Sequence, residues 1–249
     1  MEYAQAQAQT LTSQEVITKT YRFENAEYAI YSTAFMVFCT VLGLFIVAPM
    51  FPPFGQASAS AETIAAFYQE GNLSKKIGLC IMMFGTPFII PLFALLGEII
   101  RRPMNMPILG SVQYGAGLFG ILFTFMMTVS WGTAAFRPER AHDVTQALHD
   151  MGWLFATWVA SATLLQAVCI CIAVFKDTRE IPVFPRWFGY YCAWMIVLAF
   201  PACLINIFHT GPFAYDGLLG FWLPYVALFS WFGVSMVCVW HAVKKLKVV

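Results

Sequence analysis

The chain has 249 residues, of which 60% are hydrophobic and only 11% are charged. Soluble domains carry about 25% charged residues, so this composition excludes a water-soluble surface. The formal net charge of +1 gives no concentrated basic surface, and we expect no nucleic-acid partner.

The first 27 residues form a polar tail without the apolar core of a signal peptide. We therefore expect no cleavable signal peptide. The first apolar run is expected to remain in the membrane as an uncleaved insertion signal.

Six apolar runs follow this tail, and each has 22–25 residues. A membrane-spanning helix needs about 20 residues. The sequence therefore predicts an all-α, polytopic membrane bundle with six transmembrane helices, which form a single domain over residues 28–243. The runs are 28–50, 77–100, 107–131, 151–175, 187–208 and 218–240.

The distribution of Lys and Arg predicts the orientation of the bundle. Of the 14 Lys and Arg residues, only Lys75, Lys76, Arg137 and Arg140 fall on the side opposite to the termini. Basic residues accumulate on the cytoplasmic side of membrane proteins. We therefore expect both termini, the N-terminal tail 1–27 and the basic C-terminal tail 244–249, to be cytoplasmic.

The connection between the first two runs contains a short helical pattern. Ser60 can cap a helix that Gly71 ends, and Ile64, Phe67 and Tyr68 share one face. The pattern predicts an amphipathic helix on the outer side of the membrane, either as an interfacial anchor or as a lid.

Two further outer connections are rich in turn and aromatic residues. Residues 136–140 contain Pro138, which suits the first turn of a helix that extends the fourth run outward. We expect residues 136–140 and 210–217 to fold onto each other and onto the amphipathic helix. Arg137 or Arg140 would then form an ion pair with Asp216, Glu139 or Asp143.

Small residues recur at spacings of four in the third and fourth runs. Ala116 and Gly120 lie on one helix face, and Ala156 and Ala160 lie on another. Such spacing allows close approach of membrane helices. We expect these positions in the bundle centre or at a contact with another chain, in a homo-oligomer or an assembly with other membrane proteins.

No Asp, Glu, Lys or Arg lies near the middle of any run. Intramembrane ionisable residues mark proton and ion pathways, so their absence argues against an ion-driven pump or carrier. Neutral polar residues remain, and they serve either as hydrogen bonds between helices or as groups that orient an apolar ligand. They include Gln113, Gln166 and Asn206.

Aromatic residues make up 17% of the chain, and several lie deep in the runs. They are lipid-facing bulk and core packing, or they line a pocket near the outer face for a small apolar compound such as a sterol, quinone or acyl chain. The predicted ligand-binding residues are Phe155, Trp158, Gln166, Trp194, Phe200, Asn206, Phe221, Tyr225 and Trp231.

The histidines are few, and three of the four fall on the outer side. His142 and His149 stand about 10.5 Å apart along a helix, too far to bind one ion together. His149, Asp150 and His209 remain candidates for a metal or haem site. All seven cysteines lie inside the apolar runs, where they are expected to act as packing residues.

The chain contains no nucleophile elbow and no phosphate-binding loop. The sequence requires no cofactor and favours a protein without catalytic activity.

Three sequence segments resemble parts of a family of bacterial inner-membrane proteins that have six spans and about this length. They are residues 134–140, 184–190 and 210–219, and residues 61–68 extend the likeness over most of the chain. The resemblance implies a bacterial inner-membrane location and carries no established activity.

Three functional hypotheses follow from these patterns. The first is a membrane protein that binds or passes a small apolar compound, with membrane lipids around it. The second is a structural or accessory subunit of a membrane assembly. The third is a subunit of a membrane redox enzyme that uses the outer histidines.

Overall fold

The structure is a computed structural model, and it describes residues 23, 25–51 and 56–248, without the side chains of 247 and 248. Most of the N-terminal tail 1–27, with Lys19 and Arg22, lies outside the described residues. The segment 52–55 and the side chain of Lys247 lie outside them as well.

The described chain is built from helices, and no strand occurs within these ranges. The described residues form nine α-helices: α1 Ala26–Thr40, α2 Ala61–Gln69, α3 Asn72–Gly85, α4 Ile90–Arg101, α5 Pro107–Phe136, α6 His142–Thr157, α7 Ser161–Lys176, α8 Arg186–Ala199 and α9 Leu223–Val248. Short 3-10 or π segments continue several of them: Val41–Val47, Thr86–Ile89, Trp158–Ala160, Phe200–Ile207 and Leu218–Trp222.

These elements join into six helices that are long and apolar enough to cross a membrane. For the described residues, the prediction of an all-α chain with six helices of spanning length is therefore confirmed. In chain order, spans one to six are Ala26–Val47, Asn72–Arg101, Pro107–Phe136, His142–Lys176, Arg186–Ile207 and Leu218–Leu246.

The fourth span is longer than its apolar run, as the sequence predicted, but it begins later than expected. Pro138 does not start the helix; it lies in a turn that the Arg140 N–H closes on the Arg137 carbonyl. The backbone is still extended at Ala141, and α6 begins at His142. A tight turn closed by its own hydrogen bond has replaced the first helical turn expected at Pro138.

The connection between spans one and two contains α2, as the sequence predicted. Ser60 is its N-cap, and its hydroxyl accepts a hydrogen bond from the Thr63 amide at 3.4 Å. Ile64 and Tyr68 are buried on the side that packs against α6. Gly71 then takes a positive φ of 56°, which turns the chain into α3.

Close packing between spans one and two rests on Gly43 and Gly78, which lie outside the small-residue pattern of the third and fourth runs. A side chain on Gly43 would meet the Gly78 carbonyl at 2.5 Å, so spans one and two touch through their backbones. By contrast, a side chain on Gly120 would meet only Thr163 Oγ1, at 3.8 Å. The prediction that Gly120 brings two helices together is wrong, because Gly120 faces open space inside the bundle.

The buried side chains form two hydrophobic clusters at opposite ends of the bundle. The first cluster includes Ile99 and Phe184, near the end where spans two and three connect. The second includes Tyr68, Trp131 and Trp153, near α2. The region between the two clusters is only partly filled, and the candidate site lies there.

Candidate functional site: a cavity at mid-span

A cavity of about 180 Å³ lies in the middle of the bundle. All six spans contribute to its wall, and both hydrophobic clusters border it. Thr86, Ile121 and Val159 stand at the midpoints of spans two, three and four, and each of them lines the cavity. The cavity therefore lies at mid-depth, deeper than the position beneath the outer loops that the sequence predicted.

The helices depart from α geometry at the level of this cavity. Span two has the 3-10 segment Thr86–Ile89, which contains Pro87, and span five has Phe200–Ile207, which contains Pro201. Span four is broken at Trp158–Ala160, where Val159 has a non-helical φ of −83° and ψ of 26°. Irregular backbone at membrane depth is typical of helices that line a cavity.

The break in span four leaves backbone carbonyls without their helical partners, and Tyr225 satisfies one of them. Its hydroxyl donates to the Ala156 carbonyl at 3.3 Å. The ring of Tyr225 stacks on Phe221 with centroids 4.4 Å apart. The break is therefore held by a specific contact from span six.

The wall of the cavity is apolar, and among the residues that the structure describes its one ionisable side chain is the Tyr225 phenol. Methionine, aromatic, aliphatic and small side chains form most of it, and threonine hydroxyls interrupt it. Thr86 and Thr124 donate to carbonyls of their own helices and are therefore satisfied. A charged ligand would lose its hydration in this cavity without any counter-charge, so the wall suits an uncharged compound.

Three buried polar atoms of the wall have no hydrogen-bond partner: Thr157 Oγ1, Gln166 Nε2 and Trp231 Nε1. Their side chains are 1–2% exposed. The Trp231 indole stands near the Cys192 thiol, and Thr157 stands near the Tyr225 hydroxyl, without hydrogen bonds of ordinary geometry. Buried polar groups are nearly always paired, so these three atoms lack partners that a molecule in the cavity would supply.

The structure brings four of the nine predicted ligand-binding residues to the cavity: Phe155, Gln166, Tyr225 and Trp231. Phe221 is buried directly behind Tyr225. The other four are exposed on the outside of the bundle, where Trp158, Trp194 and Phe200 are 43%, 65% and 57% accessible. Asn206 is exposed as well.

None of the predicted ligand-binding residues lies in spans one, two or three, so the sequence missed the whole part of the wall that these spans supply. Met36, Phe93 and Gly120 belong to it. An aromatic or polar residue in a long apolar run is visible in the sequence, whereas a methionine or glycine there looks like ordinary membrane packing. Gly120 in the third run is the available signal, but its spacing of four from Ala116 predicts a helix contact instead.

His149 lies outside this cavity, in the second hydrophobic cluster. It is fully buried, and both ring nitrogens have partners: Tyr68 Oη lies 3.1 Å from Nδ1, and Trp153 Nε1 lies 3.0 Å from Nε2. An indole N–H can only donate, so Nε2 must accept and the proton resides on Nδ1. The imidazole is therefore held as one neutral tautomer.

The two tyrosines near His149 are also held in their protonated form. Burial raises the pKa of Tyr68 well above its usual value, and the neighbouring Tyr215 and Asp150 add to this effect. Burial and the nearby carboxylate of Asp150 likewise raise the pKa of Tyr215. Tyr215 stacks on Trp153 with centroids 5.5 Å apart and donates to Asp150 Oδ1 at 3.4 Å.

The metal candidates His149, Asp150 and His209 do not form a ready coordination site. His209 is exposed in the connection between spans five and six, whereas His149 is buried with both nitrogens bonded. Among the residues that the structure describes, no group of three His, Cys, Asp or Glu side chains is arranged to hold a metal ion.

The connections that contain Pro138 and Tyr215 contact α2 and the segment just before it. These contacts are hydrogen bonds between uncharged groups. Gln69 Nε2 donates to the Pro138 carbonyl at 3.1 Å, and Tyr215 Oη donates to the Gln56 carbonyl at 3.3 Å. The predicted ion pair of Arg137 or Arg140 with an acid is absent among the described residues. Arg140 instead donates to the Thr133 carbonyl at the end of α5.

Six apolar helices of spanning length around a buried core indicate a multi-pass membrane protein. No family model, no curated protein and no solved structure matches the chain. The cavity is therefore the feature on which a proposal for its function rests.

Proposed function

We propose that this protein is a multi-pass membrane protein that binds or passes a small, uncharged, apolar compound through the cavity at the centre of its bundle. The observation that carries the proposal is the combination of a cavity with unpartnered polar atoms in an otherwise apolar wall. Ligand sites are commonly of this kind, because apolar surface supplies affinity and a few polar groups supply orientation.

The size of the cavity supports a compact ligand. An engineered apolar cavity of about 150 Å³ in another protein binds benzene. The cavity here, at about 180 Å³, suits a ligand of one or two small rings, or a short stretch of a longer chain. The broken spans two, four and five border it and give the wall places where it can adjust.

The orientation in the membrane is part of the same proposal. The described cations separate by side: Arg101, Arg102, Lys176, Arg179, Arg186, Lys244 and Lys245 lie at one end of the spans. Lys75, Lys76, Arg137 and Arg140 lie at the other end. The first end is cytoplasmic by the positive-inside rule, which makes α2 an outer helix, and the membrane is a bacterial inner membrane.

Native mass spectrometry with a matched pair of variants tests this function. Gly120→Leu puts a large side chain into the cavity, where a Cβ meets only Thr163 at 3.8 Å. Gly115→Leu makes the same change on the same helix, at a position where a Cβ meets nothing within 4 Å. We expect a small apolar molecule to accompany the wild type and Gly115→Leu, and its amount to fall at least tenfold in Gly120→Leu.

The second candidate function is a structural or accessory subunit that packs against other membrane chains or a second copy. Gly115 and Gly233 are exposed small residues on spans three and six, where another helix could approach closely. The same spectra decide between the two functions. A fixed oligomer that carries no small molecule, and that Gly115→Leu but not Gly120→Leu disrupts, would favour the subunit and contradict the binding proposal.

A further inference from the structure

The wall of the cavity contains a hydrogen-bond donor that a pure hydrocarbon ligand would leave without an acceptor. Gln166 is 1% exposed, and its Nε2 has no hydrogen-bond partner. A side-chain amide nitrogen only donates, so the group it lacks is an acceptor. A buried donor without an acceptor is destabilising, and a suitable ligand removes that cost.

Contacts around Gln166 fix its position on the wall. A side chain added to Gly117 would stand 2.6 Å from Gln166 Nε2 and 2.5 Å from Phe93 Cδ2. Gly117 and Phe93 both line the cavity. The amide nitrogen therefore lies beside the Phe93 ring, on the part of the wall where spans two, three and four meet.

The other two unpartnered atoms are less suited to recognise an acceptor. The Trp231 indole has the Cys192 thiol beside it, and Cys192 does not line the cavity. Thr157 Oγ1 has the Tyr225 hydroxyl beside it and can serve as donor or acceptor. Gln166 Nε2 is a donor-only atom, and its neighbours Gly117 and Phe93 both line the cavity.

From this geometry we infer that the ligand is an apolar compound with a carbonyl or similar uncharged acceptor oxygen, and that Gln166 Nε2 donates a hydrogen bond to it. The inference rests on the proposed function, because it assigns a ligand class to the same cavity. The described residues of the wall include no acidic or basic group, so a carboxylate or an ammonium group would be buried there without a counter-charge, and we expect the polar end of the ligand to be uncharged.

A pair of probes of equal shape tests the inference. α-Tetralone carries one carbonyl group, and tetralin is the same bicyclic hydrocarbon without it. The dissociation constants of both are measured by ligand-observed NMR for the wild type, Gln166→Leu and Gln113→Leu in one detergent. Comparing the tetralin-to-tetralone ratio between proteins cancels the different partition of the two probes into detergent.

Gln113→Leu is the matched control. Gln113 is also fully buried and its amide also lacks partners, but it does not line the cavity. We expect the preference for α-tetralone over tetralin to fall about tenfold in Gln166→Leu, because one hydrogen bond to a buried donor is lost. The preference should stay unchanged in Gln113→Leu.

Isotope-edited infrared spectroscopy gives a readout that needs no variant. The stretching frequency of ¹³C=O-labelled α-tetralone should be lower for the probe bound to the wild-type protein than for the probe in cyclohexane, because a hydrogen bond weakens the carbonyl bond. A band at the cyclohexane position for the bound probe would overturn the inference, whether or not Gln166→Leu folds.

The two proposals fail in different ways. If both probes bind, Gly120→Leu blocks both and the preference does not depend on Gln166, the cavity function stands and the acceptor inference is wrong. If neither probe binds the wild type, the proposed function fails together with the inference.

Discussion

His149 shows how one buried residue can be fixed by neighbours that the sequence does not connect to it. Tyr68 comes from α2 and Trp153 from the same helix as His149, and together they bond both nitrogens of its ring. Trp131 also donates to the His149 carbonyl at 3.2 Å. His149, which the sequence marks as a metal candidate, thus links α2, α5 and α6 through hydrogen bonds.

Tyr68→Phe tests the hydrogen bond between Tyr68 and His149. The change removes the hydroxyl that bonds His149 and leaves the ring in place, so we expect the free energy of unfolding to fall by about 1–3 kcal/mol. Tyr190→Phe is the control, because Tyr190 is 63% exposed and such surface changes stay within about 0.5 kcal/mol. Thermal unfolding in one detergent measures both, and equal stabilities would show that the bond contributes nothing.

The predicted and observed walls of the cavity differ for a reason that applies to any membrane bundle. The lipid-facing side of a helix is as apolar as its packed side, so an aromatic residue in a span does not reveal which way it faces. Trp194 and Trp231 look alike in the sequence, yet Trp194 is 65% exposed and Trp231 is 1% exposed. Gln166 was predictable as an inward residue because an amide in lipid is costly.

At the scale of the element, the spans follow directly from the sequence, but their interruptions do so only in part. Pro87 and Pro201 mark the 3-10 segments in spans two and five, because proline removes a helical hydrogen bond. The break at Trp158–Ala160 contains neither proline nor glycine. It depends on tertiary contacts, such as the bond from Tyr225 to Ala156, that no local pattern encodes.

Contact between spans one and two gives the prediction at this scale. A Cβ on Gly78 would overlap the Gly43 carbonyl and stand 2.5 Å from Ala48 Cβ. Gly78→Ala should therefore destabilise the bundle by about 1–3 kcal/mol, as overpacking does. Gly115→Ala has open space and should not destabilise it. If denaturant titration finds the two variants equally stable, the two spans do not touch as described.

At the scale of the whole molecule, length and composition were sufficient to predict an all-helical bundle with six spans. The cavity was not predictable in position, because it arises where two separate hydrophobic clusters fail to meet. The size of such a gap depends on the tilt and spacing of all six helices at once. No pattern within one run carries that information.

Topology reporters test the proposed orientation of the whole bundle. We expect a reporter fused after Val249 and a reporter inserted between Gln56 and Ser60 to give opposite signals, with the C-terminal one cytoplasmic. Six spans place these two positions on opposite sides of the membrane. Identical signals would contradict the six-span topology, and opposite signals of reversed sign would contradict only the orientation.

The most direct test of the cavity as a ligand site is to locate a bound probe in crystals. Crystals of the wild-type protein would be soaked with 1-bromonaphthalene, and the bromine located by anomalous scattering. We predict one dominant peak inside the bundle, between Met36, Gly120 and Trp231, and its loss in Gly120→Leu. Bromine peaks only on the outer surface of the spans, with no bromine inside the bundle, would contradict the proposed function.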